Sequence, residues 1–403
     1  MTSASGAFTE LRIKKETTFG VFAGASGATE LRRTTCDIDQ DVDKFTSKEI
    51  RTDQQTGTRR QGMRHIGGNL NGELSPGSYA PYIASCLRKD LVAGVTKTAT
   101  TIAASDTAPH FTDSGNGLLT AGFKIGDVVG PSGFATTDNN GGRFIITALT
   151  AGAMTVCNLD GTAAVLTDEA ASESVTIAVI GKKTWTPTTG HTKDSYSIER
   201  YFSDIGKSRA YLGCRFSSMD INLPPGDFAT IALGVMGRSR QKADAEQFTS
   251  PTAAGTSDGL TGISGALLID GVQVALVTGA QFKVDGQMQT QGVLGSVYTP
   301  DVWPGTIAFN GQLTAIFEDE TYGDALDDDA DLTLILVLTT GPDLDADFVS
   351  FVFERIKIDS DKVDDKQSGA LIQTLPFTGL INTAGGTGTA TEKTTLSMQD
   401  SLA

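Results

Sequence analysis

One order of elements occurs twice along this chain, and that repetition limits what it can fold into. The first pass runs from Cys36 to Gly237. It has an alternating strand (CDIDQDVDK), a polar loop, a strand from His65 to Leu74 and a helix from Tyr79 to Leu87. The strands SYSIERYF, CRFSSMDINLP and FATIALGVMG complete it. The second pass runs from Phe282 to Gly379: FKVDGQMQTQ, the loop GSVYTPDVWPG, the strand IAFNGQLTAIF and a short DETYGDAL helix. It closes with LTLILVLT, FVSFVFERIKIDS and ALIQTLPFTG. Apolar residues at period two read as strands with one buried face, and Tyr79, Tyr82, Ile83, Cys86 and Leu87 at spacings of three and four read as a helix. Agreement in type, order and length predicts two copies of one β-unit.

The 403 residues are enough for two or three domains with real cores. Short runs of Val, Ile, Thr and Phe bounded by Gly, Pro, Asn or Asp make the chain mainly β. The fold class expected is two tandem β-sandwich or barrel domains, each with a short flanking helix, plus a small inserted β-domain. The insertion falls after the first helix, where the second pass has only DDDAD. Residues 1–93 and 187–240 are therefore assigned to a discontinuous first domain, 94–186 to the insertion, 241–264 to a linker and 265–403 to a second domain with a C-terminal arm. FGVFAG and ELRRTTCDIDQDVDKF read as strands, DKFTSKEIRTDQQTGTRRQGMRH as a long exposed loop, and TKTATTIAASDTAPHFTDSGNG as linker. GFKIGDVVGPSGF, GRFIITALTAG, AMTVCNL and ESVTIAVIG read as the strands of the insertion. The Gly/Thr-rich tail INTAGGTGTATEKTTLSMQDSLA reads as a flexible or interface-bound arm.

A formal net charge of −16 argues against tight, non-specific binding of nucleic acid, because phosphates need cationic partners. It argues equally against adhesion to anionic membranes. The apolar run LTLILVLT is strand-sized, and the N-terminus lacks the charged and apolar regions of a signal peptide, so no membrane anchor is expected. Cys36, Cys86, Cys157 and Cys214 are scattered without ligand spacing. No HExxH, GxSxG or P-loop occurs, and Trp185 and Trp303 read as packing anchors in loops. No catalytic, cofactor-binding or metal-binding residues are assigned.

Asp37, Asp39, Asp41 and Asp43 stand at period two, which puts them on one face of a strand, roughly 6–7 Å apart. Three readings are open: a solvated acidic face, an acidic wall lining a channel or facing a partner, and a calcium site. EDETYGDALDDDAD carries eight carboxylates between Glu318 and Asp331 but lacks the EF-hand spacing, so it reads as a solvated loop. Arg51, Asp53, Arg59, Arg60 and Arg64 form a basic stretch in an acidic chain, suited either to solvent or to acidic surface on a neighbouring copy.

TSKEIRTDQQTGTRRQGMRHIGGNLNGELSPGSYAPYIASCLRKD and SYSIERYFSDIGKSRAYLGCRFSSMDINLPPGDFATIALGVMG resemble the two halves of a phage major tail tube protein of the long, flexible-tailed (siphophage) type. The SxxIERxFxD…YxGCRxxSMxxxL cadence is the most specific part. The likeness covers residues 9–92 and 195–237, and Gly265 to Leu380 resembles a second, diverged copy. What it implies is a structural, non-enzymatic virion subunit without cofactor, made in the host cytoplasm. Self-assembly into stacked rings would form a conduit for DNA during genome ejection. The ring is a homotrimer that is pseudo-hexameric, or else a hexamer. Implied partners are the tape-measure protein, tail terminator or tip proteins, and double-stranded DNA passing without tight binding. The inserted module is then expected to face outward. The alternatives are the inner-tube component of a contractile injection system and, from another class, a surface carbohydrate-binding or glycoside-processing β protein.

Overall fold

The computed structural model describes residues 4–274, 276–365 and 368–403. The chain is mainly antiparallel β-sheet with short helices. The first unit comprises β1 (Thr9–Lys15), β2 (Asp39–Thr46), β3 (Arg59–Glu73), α1 (Ala80–Leu87), β4 (Tyr196–Phe202), β5 (Lys207–Leu223), β6 (Thr230–Gly237) and β7 (Ser239–Ala243). The second comprises β8 (Thr261–Ile269), β9 (Val277–Asp285), β10 (Ala308–Ile316), α2 (Thr321–Asp327), β11 (Leu332–Thr339), β12 (Phe348–Ile358), β13 (Ile372–Gly379) and β14 (Leu396–Asp400).

The two units share one topology. In the first, β2–β3–β6–β5 form one sheet and β1–β4–β5–β7 another. In the second, β9–β10–β13–β12 and β8–β11–β12–β14 correspond to them. The long strands β5 and β12 each belong to both sheets. β5 turns from one to the other near Gly213, whose φ of 66° suits glycine. The buried Glu16 carboxylate holds that turn. It accepts hydrogen bonds from the Gly213 amide at 2.9 Å, the Ser197 hydroxyl at 2.9 Å, the Ser195 hydroxyl at 2.7 Å and the Gly20 amide at 2.9 Å.

Beyond that turn the second half of β5 pairs with β9, from Ser218 opposite Asp285 to Leu223 opposite Ala280. This joint merges the two units into one continuous sheet in the order β2–β3–β6–β5–β9–β10–β13–β12. Strand alternation turns Met219, Ile221, Leu233, Val235, Phe282 and Val284 inward. They join a core that also holds Phe351, Phe353 and Phe377, so both units bury their apolar faces together. Full burial of each such side chain is worth about 1.5–3 kcal/mol.

Residues between Thr96 and Val179 form a separate seven-stranded sheet with its own core around Phe111, Phe123 and Phe144. TKTATTIAASDTAPHFTDSGNG is not linker: Thr96–Ala99, Ile102–Ser105 and His110–Asp113 are strands of this sheet, with Ile102 and Phe111 buried. Small polar residues hid an alternation carried by few large side chains. The module docks through Val128, Ile145 and Leu159 on Leu268, Ile335, Val337 and Val352 of the second unit.

Three further segments differ from their sequence reading. FGVFAG is not a strand, because Gly20 and Gly24 have positive φ and its aromatics serve as anchors. Phe22 stacks on Phe248 at 4.8 Å, and Phe19 lies under the Arg215 guanidinium. Residues 241–264 are held along the first unit: Phe248 and Leu260 are buried, and the buried Glu199 accepts the Gln247 and Phe248 amides at 2.6 and 3.0 Å. The tail ends in β14, a fully buried strand between β12 and Lys182–Trp185. There the Gln399 side chain accepts from the Val128 amide and donates to the carbonyls of Val128 and Ile180.

Candidate assembly interface

The merged sheet has a second face, and its strands alternate to polar residues there. Asn69, Asn71, Gln312 and Thr314 supply amides and a hydroxyl, while among the charges of its central strands Glu73, Asp220 and Asp285 outnumber Lys283 and Arg215, the latter buried. The sheet also has two ends. At one, β2 pairs only with β3; at the other, β12 and its continuation Lys362–Val363 pair with β13. Among the described residues, no strand pairs with the outer side of β2 or of Lys362–Val363.

Two hairpin arms rise from this sheet. The stretch read as one long loop is a hairpin whose loop spans only 47–58: β2 continues to Thr46, and β3 begins at Arg59, opposite it. The second arm, 286–307, contains the short pair Gln289–Thr290 and Val302–Trp303. The arms meet where the Arg64 amide donates to the Val297 carbonyl at 2.8 Å. Ile50 and Leu294, at their tips, are fully exposed, Phe45 is more than half exposed and Val297 nearly half.

The acidic set is not uniform. Asp39 pairs with Arg240 at 2.6 Å and Arg209 at 3.2 Å, whereas Asp37, Asp41 and Asp43 are exposed. A register irregularity between Val42 and Lys44 takes Asp43 out of the sequence of its neighbours, and Asp37 accepts the Asn69 amide. Burial raises the Asp39 carboxyl pKa, but the Gln40 amide, Arg240 and Arg209 outweigh it and leave the group below its ordinary value. Among the described residues no group of His, Cys, Asp and Glu side chains is arranged to hold a metal ion. Of the basic set, Arg51 pairs with Asp53 at 2.6 Å in the exposed loop, Arg59 and Arg60 lie at the start of β3, and Arg64 reaches Tyr298 at 3.5 Å.

Two arginines that sequence reasoning passed over hold the second arm. Arg88 caps α1 in the left-handed region (φ 62°, ψ 36°). Its buried guanidinium donates to the Gly305 carbonyl at 2.7 Å and the Gly286 carbonyl at 2.8 Å, the two bases of the arm. Arg215 pairs with Asp301 at 3.0 Å and donates to the Val302 carbonyl. A cation directly after an apolar helix was the available signal for Arg88. Of the tryptophans, Trp185 receives Lys89 over its ring at 3.3 Å, and Trp303 is partly exposed in the second arm.

The comparisons with known proteins bear on this geometry. A family model described as phage tail tube protein matches residues 6–379. The chain belongs to the phage tail tube protein family. Its role is therefore that of a structural component of a virion tail that associates with itself into a tube. The match runs through both units and the insertion between them. No curated protein matches the chain.

Proposed function

We propose that three copies of this chain close a ring in which each contributes two tube units, and that rings stack into the hollow tail tube of a siphophage. The supporting observation is the β5–β9 joint. Two equivalent units already pair edge to edge inside one chain, and the outer ends of the merged sheet carry the same two edges again. A head-to-tail contact that repeats this joint between chains is heterologous, and such contacts close into a ring when the rotation fits. Closure also removes the exposed edges.

In this reading the polar face of the merged sheet lines the lumen. Its amides and hydroxyls carry no fixed cation in excess of the carboxylates, so double-stranded DNA passes without the charge neutralisation that would hold it. The inserted module, docked on the sheet of β8, β11, β12 and β14, faces outward. The arms reach the adjacent ring, and the chain, made in the host cytoplasm, meets the tape-measure protein inside the tube and the terminator and tip proteins at its ends. The role is structural, with no catalysis. The test is electron microscopy of the purified chain at rising concentration. Hollow stacked rings are expected, and a chain that stays monomeric even with tail initiator added contradicts the proposal.

A further inference from the structure

The two units match rung by rung, and the match identifies which residues meet at a chain-to-chain joint. In the first unit Asp39, Gly67, Met236 and Arg215 are successive cross-strand partners, and in the second Lys283, Asn310, Thr378 and Lys357 are. A parallel rung holds Thr35, Asn71, Ala232 and Asp220 in the first, and Gly279, Thr314, Thr374 and Lys362 in the second. Asp39 thus stands where Lys283 stands, and Asp220 where Lys362 stands. Both charges are inverted between the units.

Inside the chain Asp220 lies directly opposite Lys283. We propose that Lys362 of one chain lies opposite Asp39 of the next, the same cross-strand ion pair with its signs exchanged. This inference rests on the ring reading above and adds its register and its chemistry. Lys362 is exposed, and Asp39 is half-exposed beside Arg240 and Arg209. By the same matching Ser360 lies opposite Asp41 and Asp364 opposite Asp37, so Lys362 enters among Asp37, Asp39 and Asp41, the outer two within diagonal reach.

The exchange of signs also specifies which edges pair. If β2 of another chain displaced β9 from β5, Asp39 would face Asp220. If β9 of another chain took the outer edge, Lys283 would face Lys362. Like charges directly opposite are destabilising in a sheet. Each wrong pairing replaces an ion pair by a like-charged one, whereas the proposed outer joint keeps the Lys362–Asp39 pair beside its one like-charged contact, Asp364 with Asp37, so inner and outer joints alternate around the ring.

The test is charge exchange in the full-length chain, read as the fraction pelleted as tubes and checked by electron microscopy. Lys362→Asp and Asp39→Lys are each expected to lower assembly at least tenfold, and the two together to restore most of it. Asp39→Lys also loses Arg209 and Arg240, so a second pair leaves Asp39 intact. Ser360→Cys with Asp41→Cys is expected, on oxidation, to give a covalent ladder ending at the trimer that neither single variant gives. Normal assembly of Lys362→Asp, or tubes of the cysteine pair that give no ladder, overturns the proposed register while leaving the ring reading in place. Failure of the unmodified chain to form rings contradicts the ring reading itself.

Discussion

Arg88 is the most informative single residue to remove, because it ties the helix of one unit to the arm of the other. Arg88→Ala deletes two charged-group hydrogen bonds, at 2.7 and 2.8 Å, to the carbonyls of Gly305 and Gly286. Hydrogen bonds to charged groups contribute about 1.5–3 kcal/mol each, and both carbonyls lose this donor. A loss of about 3–6 kcal/mol is therefore expected, a large share of the stability of about 5–15 kcal/mol typical of a domain. The backbone contribution separates out, because Arg88 sits at φ 62°. Arg88→Gly should be about 1 kcal/mol more stable than Arg88→Ala, because the left-handed conformation costs an L residue about 1–2 kcal/mol and glycine's greater freedom in the unfolded chain offsets part of that. The assay is urea unfolding together with limited proteolysis of the 286–307 arm, which should become the first site cut. An Arg88→Ala variant within about 0.5 kcal/mol of the parent, with the arm equally protected, would refute the role given to these bonds.

Two other perturbations address different parts of the molecule. Burial is the main cause that pushes the Glu354 carboxyl up to about 8, against its ordinary 4.5, with Lys183, Asp127 and the Glu392 amide nearby. A raised folded pKa contributes stability that is complete below the unfolded value and is lost as pH rises through about 8, at about 1.4 kcal/mol per unit. Glu354→Gln should therefore melt with the parent at pH 4 and above it at pH 9; equal melting at both, by calorimetry, would show the carboxyl is not held neutral. At the arm tips, Ile50→Asp and Leu294→Asp should leave melting within about 0.5 kcal/mol of the parent, as both side chains are exposed. The same variants should shorten tubes to single rings under electron microscopy, and tubes of parental length would remove the arms from ring stacking.

The repeated order of elements was legible because every strand of the merged sheet except β2 has one face in the core, so its apolar residues recur at period two. Phe282 and Val284, like Ile231 and Leu233, follow that rule. The arm strands were not legible, since Thr46 and Arg59 pair away from any core and no periodic burial marks them. β14 was missed for a different reason: LSMQD alternates over only five residues after a long Gly/Thr-rich stretch, and the burial of Ser397 and Gln399 along with Leu396 and Met398 comes from neighbours on both faces. The anchoring of 241–264 combines the burial of Phe248 and Leu260, in a stretch of mostly small and polar residues, with hydrogen bonds to Glu199, a residue far away in the chain. The inversion of charge between Asp39 and Lys283 was not legible, because the equivalence of the two positions comes from the strand register. The placement of Asp39 between two arginines depends on strands far apart in the chain.

Repetition of the inner β5–β9 joint between chains fixes the symmetry of the ring. Its most direct measurement is the rotational symmetry of assembled tubes viewed end-on by cryo-electron microscopy. Threefold symmetry is expected, with six similar inner lobes, every second lobe bearing an outward module. Sixfold symmetry, with six complete chains per ring, would contradict it.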